Sequence, residues 1–361
     1  MDAVARGLYT QGAAVLLSEP IDFARIEPAV SGFQKLGLQT SPDGSEHPLL
    51  LLDDDQPGGG QAIVVLSDQP WPDSMGTPEE APELFMAWSL GQFGPLTYPD
   101  CLQRAMEQSW RWDEGAEEAS KHVAHVRVLY SYVLGSEDID SLTDTEGTPS
   151  FIPTDADGVD ELNYITRVIS RLLELPEAIC YFNPGGEVLM NAEDLRAGLN
   201  DCWQHELIPV DAWTNVRLFR ASETWTLMDT VGNEQFDLPD LEVIFENDQF
   251  DPSDVESFLR NVVLCLLMDD IEINDGDTAD GPGEQDWQAV LCHDGLNDPP
   301  RPTIRWFPAT SQPPEDLLDP GQEPQDDLEI ERILDLENLL TDDEEAGDEE
   351  DDDEPEEEPT L

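Results

Sequence analysis

The stretch DPSDVESFLRNVVLCLLM, Asp251 to Met268, sets the strongest condition on the fold. Val255, Phe258, Leu259, Val262, Val263 and Leu266 fall at helical spacing, with Asp251 placed as N-cap and Pro252 at the first helical position. The last turns are apolar nearly all round, and a helix of that kind has to be covered on more than one side. The segment therefore predicts a layered fold in which this helix is buried between apolar surfaces.

Short apolar runs elsewhere supply the strands. AAVLLS at Ala13–Ser18, PLLLL at Pro48–Leu52, QAIVVL at Gln61–Leu66 and HVAHVRVLY ending at Tyr130 read as strands. Helices are predicted from Pro20 through Phe33, from Leu84 to Leu90, and from Asp100, where Asp100 and Gln103 form a capping-box pattern and Leu102, Ala105, Met106, Ser109 and Trp110 share a face. The order strand, helix, strand, strand, helix, strand is that of a split βαβ unit. The second half repeats the theme. A helix carries Leu162, Ile165, Ile169 and Leu172; a strand AICYF, a turn NPGG and a short helix from Ala192 capped by Asn191 follow. NVRLFRA, TWTLMDT, DLEVIF, DWQAVLC and PTIRWF are further strands. The expected fold class is α+β: tandem ferredoxin-like (split βαβ) units over residues 1–140 and 141–309, with an acidic disordered C-terminal tail over 310–361.

Composition decides what the chain can touch. It has 82 acidic against 16 basic residues, a formal net charge of -66, and only Lys35 and Lys121 are lysines. Phosphate backbones and anionic membranes need clustered cations, so neither nucleic acid nor a membrane surface is an expected partner; a basic protein is. From Ser311 onward 24 acidic residues face Arg332 alone, yet most of the excess charge precedes that point. The tail contains one apolar pattern at 328–340, with Ile330, Ile333, Leu334, Leu336, Leu339 and Leu340. It reads either as a transient helix or as a short partner-docking helix. Five scattered cysteines without a C-x-x-C read as core residues in a reducing compartment. With no signal-peptide pattern and no run of membrane-spanning length, a cytoplasmic protein is expected.

Candidate chemistry concentrates at KHVAHVRVLY, Lys121–Tyr130. If this is a strand, His122 and His125 point to opposite faces and cannot share a metal; Ala124, Val126, Val128 and Tyr130 line one face, His125 and Arg127 the other. His205 and Glu206 lack the second histidine of a zinc-binding helix, and no nucleophile elbow or Walker loop occurs. The acidic loop Asp269–Asp286 departs from a calcium loop, because counting from Asp270 places Asp275 where glycine is needed. No metal, cofactor or catalytic residue is expected. His125, Arg127 and Trp110 are the candidate pocket residues should a ligand cleft exist between the two units.

FGPLTYPDCLQRAMEQSWRWDEGAEEASKHVAHVRVLYSYVLG, AICYFNPGGEVLMNAEDLRAGL and INDGDTADG before a terminal strand resemble the bacterial domain of unknown function 4261 family. The resemblance spans most of Ala13–Pro308, with Trp110–Gly135 its most specific part. It implies an α+β bacterial domain with no established activity, catalytic residue or cofactor. The expected function is that of a non-enzymatic interaction or accessory protein with an acidic surface; the alternative is an enzyme or small-molecule binder.

Overall fold

Apolar runs too long to be half-exposed strands end up with both sides covered. β1 (Gln11–Leu17) is buried at all seven positions, and it lies inside a seven-stranded sheet of order β2-β3-β4-β5-β1-β6-β7. The other strands are β2 (Lys35–Thr40), β3 (Pro48–Asp53), β4 (Gln61–Ser67), β5 (Ala124–Ser131), β6 (Ala178–Asn183) and β7 (Val188–Met190), each antiparallel to its neighbours. This computed structural model describes residues 7–40, 48–54, 59–133, 152–153, 156–268 and 271–318. The chain divides into two units, Met1–Pro320 and Gly321–Leu361. The second lies outside the described residues, and with it the apolar pattern from Ile330 to Leu340.

One face of the first sheet carries α5 (Gly158–Leu172), whose N-terminus is capped by the Asp157 side chain accepting from the Val159 and Asp160 amides. Leu162, Ile165, Ile169 and Leu172 are fully buried against Val15, Leu17, Val126 and Val128. Each such side chain contributes up to about 1.5–3 kcal/mol by leaving water. The short α1 (Ile26–Ala29) and α6 (Ala192–Gln204) complete that layer. The opposite face, with Phe182 of β6, packs on Trp71, Trp88 and Phe93 and on α2 (Pro82–Ser89), α3 (Cys101–Glu107) and α4 (Gly115–Ala119).

The second sheet has the order β11-β12-β13-β10-β9-β8. Its strands are β8 (Asn215–Arg220), β9 (Trp225–Val231), β10 (Asp240–Glu246), β11 (Thr278–Gly281), β12 (Gln285–Cys292) and β13 (Thr303–Pro308). β10 and β13 are parallel neighbours, with α7 (Pro252–Met268) and then β11 and β12 between them in the chain, and α7 covers one face. The other face carries Trp225, Leu227, Ile244 and Phe307 with the short α8 (Glu315–Leu318).

An α+β architecture is thus present, but the sheets are not laid out as tandem split βαβ units. The strand β2, KLGLQT, intervenes after α1 and reverses the chain once more, so β3 runs antiparallel to β1 and lies beyond β4 and β5. Leu36 and Leu38 of this edge strand stay exposed, and its mixed composition gave no strand signal. β6 and β7 share the sheet of β1–β5, so it draws on both the 1–140 and the 141–309 segments.

Four local expectations are also corrected. Asp100 is not the cap of α3: it has a left-handed φ of 64° and no capping bond. Asp73 does that work from 29 residues away, its carboxylate accepting from the Leu102 amide at 2.8 Å and the Gln103 amide at 2.7 Å. The helix ends at Glu107, so Trp110 lies beyond it. α7 is not sandwiched between layers; it buries one stripe on the second sheet and leaves Met268 and Cys265 exposed. Cys265 is therefore not a core residue, whereas Cys101, Cys180 and Cys292 are buried.

Candidate functional site

The turn between β6 and β7 brings the two sheets together. An added Cβ at Gly186 would stand 1.8 Å from the Trp213 carbonyl oxygen, and Gly232, at φ +119°, lies against the same atom. Only bare backbone fits there. Gln235 locks the contact: its side-chain amide donates to the carbonyls of Trp213 (2.8 Å) and Gly232 (2.9 Å) and accepts from Asn183, while Gln11 donates to its backbone carbonyl at 2.8 Å.

Next to this turn runs a buried chain of charges. Arg104 Nε donates to Glu187 at 2.6 Å; Glu187 accepts from Arg217 at 3.1 Å; Arg217 holds Asp229 in two bonds of 2.9 and 2.6 Å. Arg301 then bridges Asp229 at 3.0 Å and Asp240 at 2.9 Å, and Arg305 pairs with Glu242 on the neighbouring strand at 2.8 Å. Burial pushes the Asp229 carboxyl up, but Arg217 and Arg301 outweigh it and hold the group below the usual range. Glu187, Asp240 and Glu242 go the other way, because burial outweighs their single or shared guanidinium partners. Each of these groups has at least one charged partner among the described residues. The array joins β6–β7, β8, β9, β10 and β13 into one body.

Beside it a cleft of about 450 Å³ opens between α6, residues 108–112 and Arg260 of α7. Arg111 pairs with Asp211 at 2.7 Å and with Glu256; Arg260 pairs with Asp211 at 2.8 Å and Glu256 at 3.3 Å. Asp211 is lowered, since Arg260 and Arg111 overcome its burial, so it sits there as a paired carboxylate and not as a proton donor. The Cys202 thiol in the same wall is pushed up by burial, with Asp211 and Asp201 adding to it. Such a cleft can hold a ligand, but its groups are not tuned for proton transfer or nucleophilic attack.

His122 and His125, expected on opposite faces of one strand, instead meet the same neighbouring segment. β5 starts at Ala124, so strand alternation governs His125 and Arg127 but never reaches His122. His122 Nε2 accepts from the Trp71 amide at 2.9 Å while Nδ1 meets the Ala119 carbonyl; His125 Nδ1 meets the Gln69 carbonyl at 2.9 Å. Both rings thus brace the Gln69–Trp71 segment. His125 is pushed down to about 3 by burial and by the Arg127 charge, and His122 is lowered by burial, which makes both neutral braces. Arg127 lies 4.7 Å from the Phe93 ring and donates to the Gln92 carbonyl, so it belongs to the same aromatic layer. The alternation itself holds: Ala124, Val126, Val128 and Tyr130 share the α5 side of the sheet.

Trp110 is elsewhere. Its indole donates to the Val216 carbonyl at 2.9 Å, and Gln108 accepts from the Leu218 amide at 3.0 Å, so this loop covers the free edge of β8. In the acidic loop, Asp277 accepts from the Asn274 amide of the same turn, and Asp275 accepts from the Leu291 amide of β12. Among the described residues no group of three or more His, Cys, Asp or Glu is placed to hold a metal ion, and no helix is long and apolar enough to cross a membrane.

Sequence reasoning missed the ionic array. Its one legible signal was Arg217 within NVRLFR and Asp229 within TLMDTV, which are cross-strand partners in the β8–β9 register.

No curated protein and no solved structure is found similar to the chain. Trp110–Gly135, taken from the sequence as the most specific part of the family resemblance, lies outside the matched region. The match to the family model, domain of unknown function (DUF4261), covers residues 229–307, and over that segment, from Asp229 of the ionic array through β10, α7 and β13, the chain resembles that family.

Proposed function

We propose that this is a non-enzymatic accessory protein of the bacterial cytosol that binds a basic protein partner through its acidic surface. The observation that carries this reading is how the chain uses its few cations. Arg104, Arg217, Arg301 and Arg305 are each buried or nearly so against carboxylates, and Arg111 and Arg260 are tied to Asp211 and Glu256. With 82 acidic residues against 16 basic ones, few basic groups remain to offset the outer charge. A surface of that kind steers a cationic partner into contact and repels anionic ones. The groups most often recruited for catalysis are spent structurally: His125 is a neutral brace and the buried Cys101 thiol is raised well above its ordinary value by burial.

The test is affinity capture with the full chain at low and moderate salt, beside an unrelated protein of matched net charge. Enrichment of a defined basic protein by this chain alone, reproduced with the purified pair, is the expected outcome. Capture of the same proteins by the charge-matched control, or of none, removes the reading.

The cleft lined by Arg111, Cys202, Asp211 and Arg260 supports a second reading, a small-molecule binder. It uses none of His125, Arg127 or Trp110. Thermal-shift screening of metabolite mixtures with the Asp211→Asn variant as comparison separates it from the first.

A further inference from the structure

Where acidic residues outnumber basic ones about five to one, an arginine without a carboxylate is the exception. Arg25, Lys35, Arg104, Arg111, Lys121, Arg171, Arg217, Arg260, Arg301 and Arg305 all have one within reach. The side chains of Arg167, Arg196 and Arg220 make no ion pair or hydrogen bond with the described residues; Arg220 stands alone, but Arg167 and Arg196 line the same groove of about 530 Å³ between α5 and α6. Arg171, one helical turn from Arg167, lines it too, and Glu174, bonded to Arg171 at 3.0 Å, is its single acidic lining residue among those described. On α6, Arg196, Asn200 and Trp203 follow at i, i+4 and i+7 and so share one face. Trp203 is 46% exposed, and Phe33 closes the far wall beneath the Arg167 guanidinium, 5.9 Å from its ring.

Three guanidinium groups and two aromatic rings converge on a space of small-molecule size. Guanidinium forks match phosphate oxygens in two parallel bonds, and exposed indole and phenyl faces stack on planar bases. The rest of the surface repels anions, but at physiological salt that field decays within about 8 Å. A compact anion in the groove sits against three guanidinium groups, whereas a long polyanion has to cross the acidic surface. We propose that the α5–α6 groove binds a nucleoside di- or triphosphate, with Arg167, Arg171 and Arg196 on the phosphates and Trp203 or Phe33 against the base. The site is distinct from the acidic partner surface and from the Arg111–Arg260 cleft, and stands or falls independently of them.

Calorimetric titration of the full chain with ATP, inorganic triphosphate and adenosine tests it. Saturable ATP binding is expected, with triphosphate weaker and adenosine weaker still. Arg196→Ala and Arg167→Ala each weaken ATP by about tenfold or more. Both residues are exposed on helix surfaces, and either variant alone suffices if the other fails to fold. Trp203→Ala narrows the gap between ATP and triphosphate. Arg220→Ala, an exposed arginine outside the groove, leaves ATP binding unchanged. The proposal is overturned if neither ATP nor triphosphate saturates, if adenosine binds as well as ATP, if Arg167→Ala and Arg196→Ala retain full affinity, or if Arg220→Ala weakens binding equally.

Discussion

His125 ties a single side chain to the pH range in which the fold is stable. Its folded value of about 3 lies below the ordinary 6.5, because burial and the neighbouring Arg127 charge disfavour the imidazolium. Between those two values the unfolded chain takes up a proton that the folded chain refuses. The contribution is therefore fully present above about pH 6.5 and is lost as pH falls toward 3, at up to about 1.4 kcal/mol per unit. His125→Gln removes the titration and keeps a neutral polar group beside Gln69. Urea unfolding at pH 7 and pH 4.5 should show the variant gaining on the native chain at the lower pH; an unchanged difference means the imidazole protonates normally in the fold. Asp229 acts at the same scale through charge compensation, since it serves both Arg217 and Arg301. Asp229→Asn leaves two buried guanidinium groups short of a partner and should cost about 3–5 kcal/mol in the same assay. A loss under about 1 kcal/mol would indicate that water or a shift of Asp240 takes over.

Elements show which parts of the chain were readable and why. α5 and α7 were legible because their apolar stripes repeat at helical spacing, β1 because its run is nearly all apolar, and β5 and β10 because β-branched and aromatic residues recur through them. β2, β7 and β11 were not: they are short or polar strands at or near sheet edges, where burial leaves little imprint on composition. The cap of α3 was misread for a different reason. Asp100 has the right residue type at the right offset, but the stabilising carboxylate comes from Asp73, and no local pattern records a contact 29 residues away. Two substitutions separate these roles. Asp73→Ala leaves the Leu102 and Gln103 amides without that acceptor and should destabilise by about 1–2 kcal/mol. Asp100→Gly relieves a left-handed non-glycine residue and should be neutral or slightly stabilising. Thermal melts of the two variants decide it, and a larger drop for Asp100→Gly than for Asp73→Ala would restore the local cap.

At the level of the whole molecule, the sequence pointed to two sheets but not to how they join, because the join is made of polar and small residues scattered along the chain. Gly186, Gln235, Glu187, Arg217 and Arg301 come together only once the strands are paired, and none of them carries a periodicity. The candidate triad of His125, Arg127 and Trp110 met the same limit. Two of its members fall in one aromatic layer and the third on the edge of β8. Net charge has a consequence for the folded state as well as for partners. A chain at -66 repels itself, and the folded form holds those charges closer together than the unfolded one does. Added salt screens that repulsion over a distance of about 10 Å at 0.1 M and about 3 Å at 1 M. The buried array from Arg104 to Asp240 is shielded from solvent ions and keeps its attraction, so screening should remove more repulsion than attraction. The midpoint of thermal unfolding should therefore rise steadily with sodium chloride, most steeply at low concentration. Sodium sulfate, which also strengthens apolar burial, should raise it further at equal ionic strength. Scanning calorimetry across a salt series checks both statements. A melting point that falls on first addition of sodium chloride would mean that exposed ion pairs such as Lys121 with Glu118, rather than self-repulsion, dominate the charge energetics of this fold.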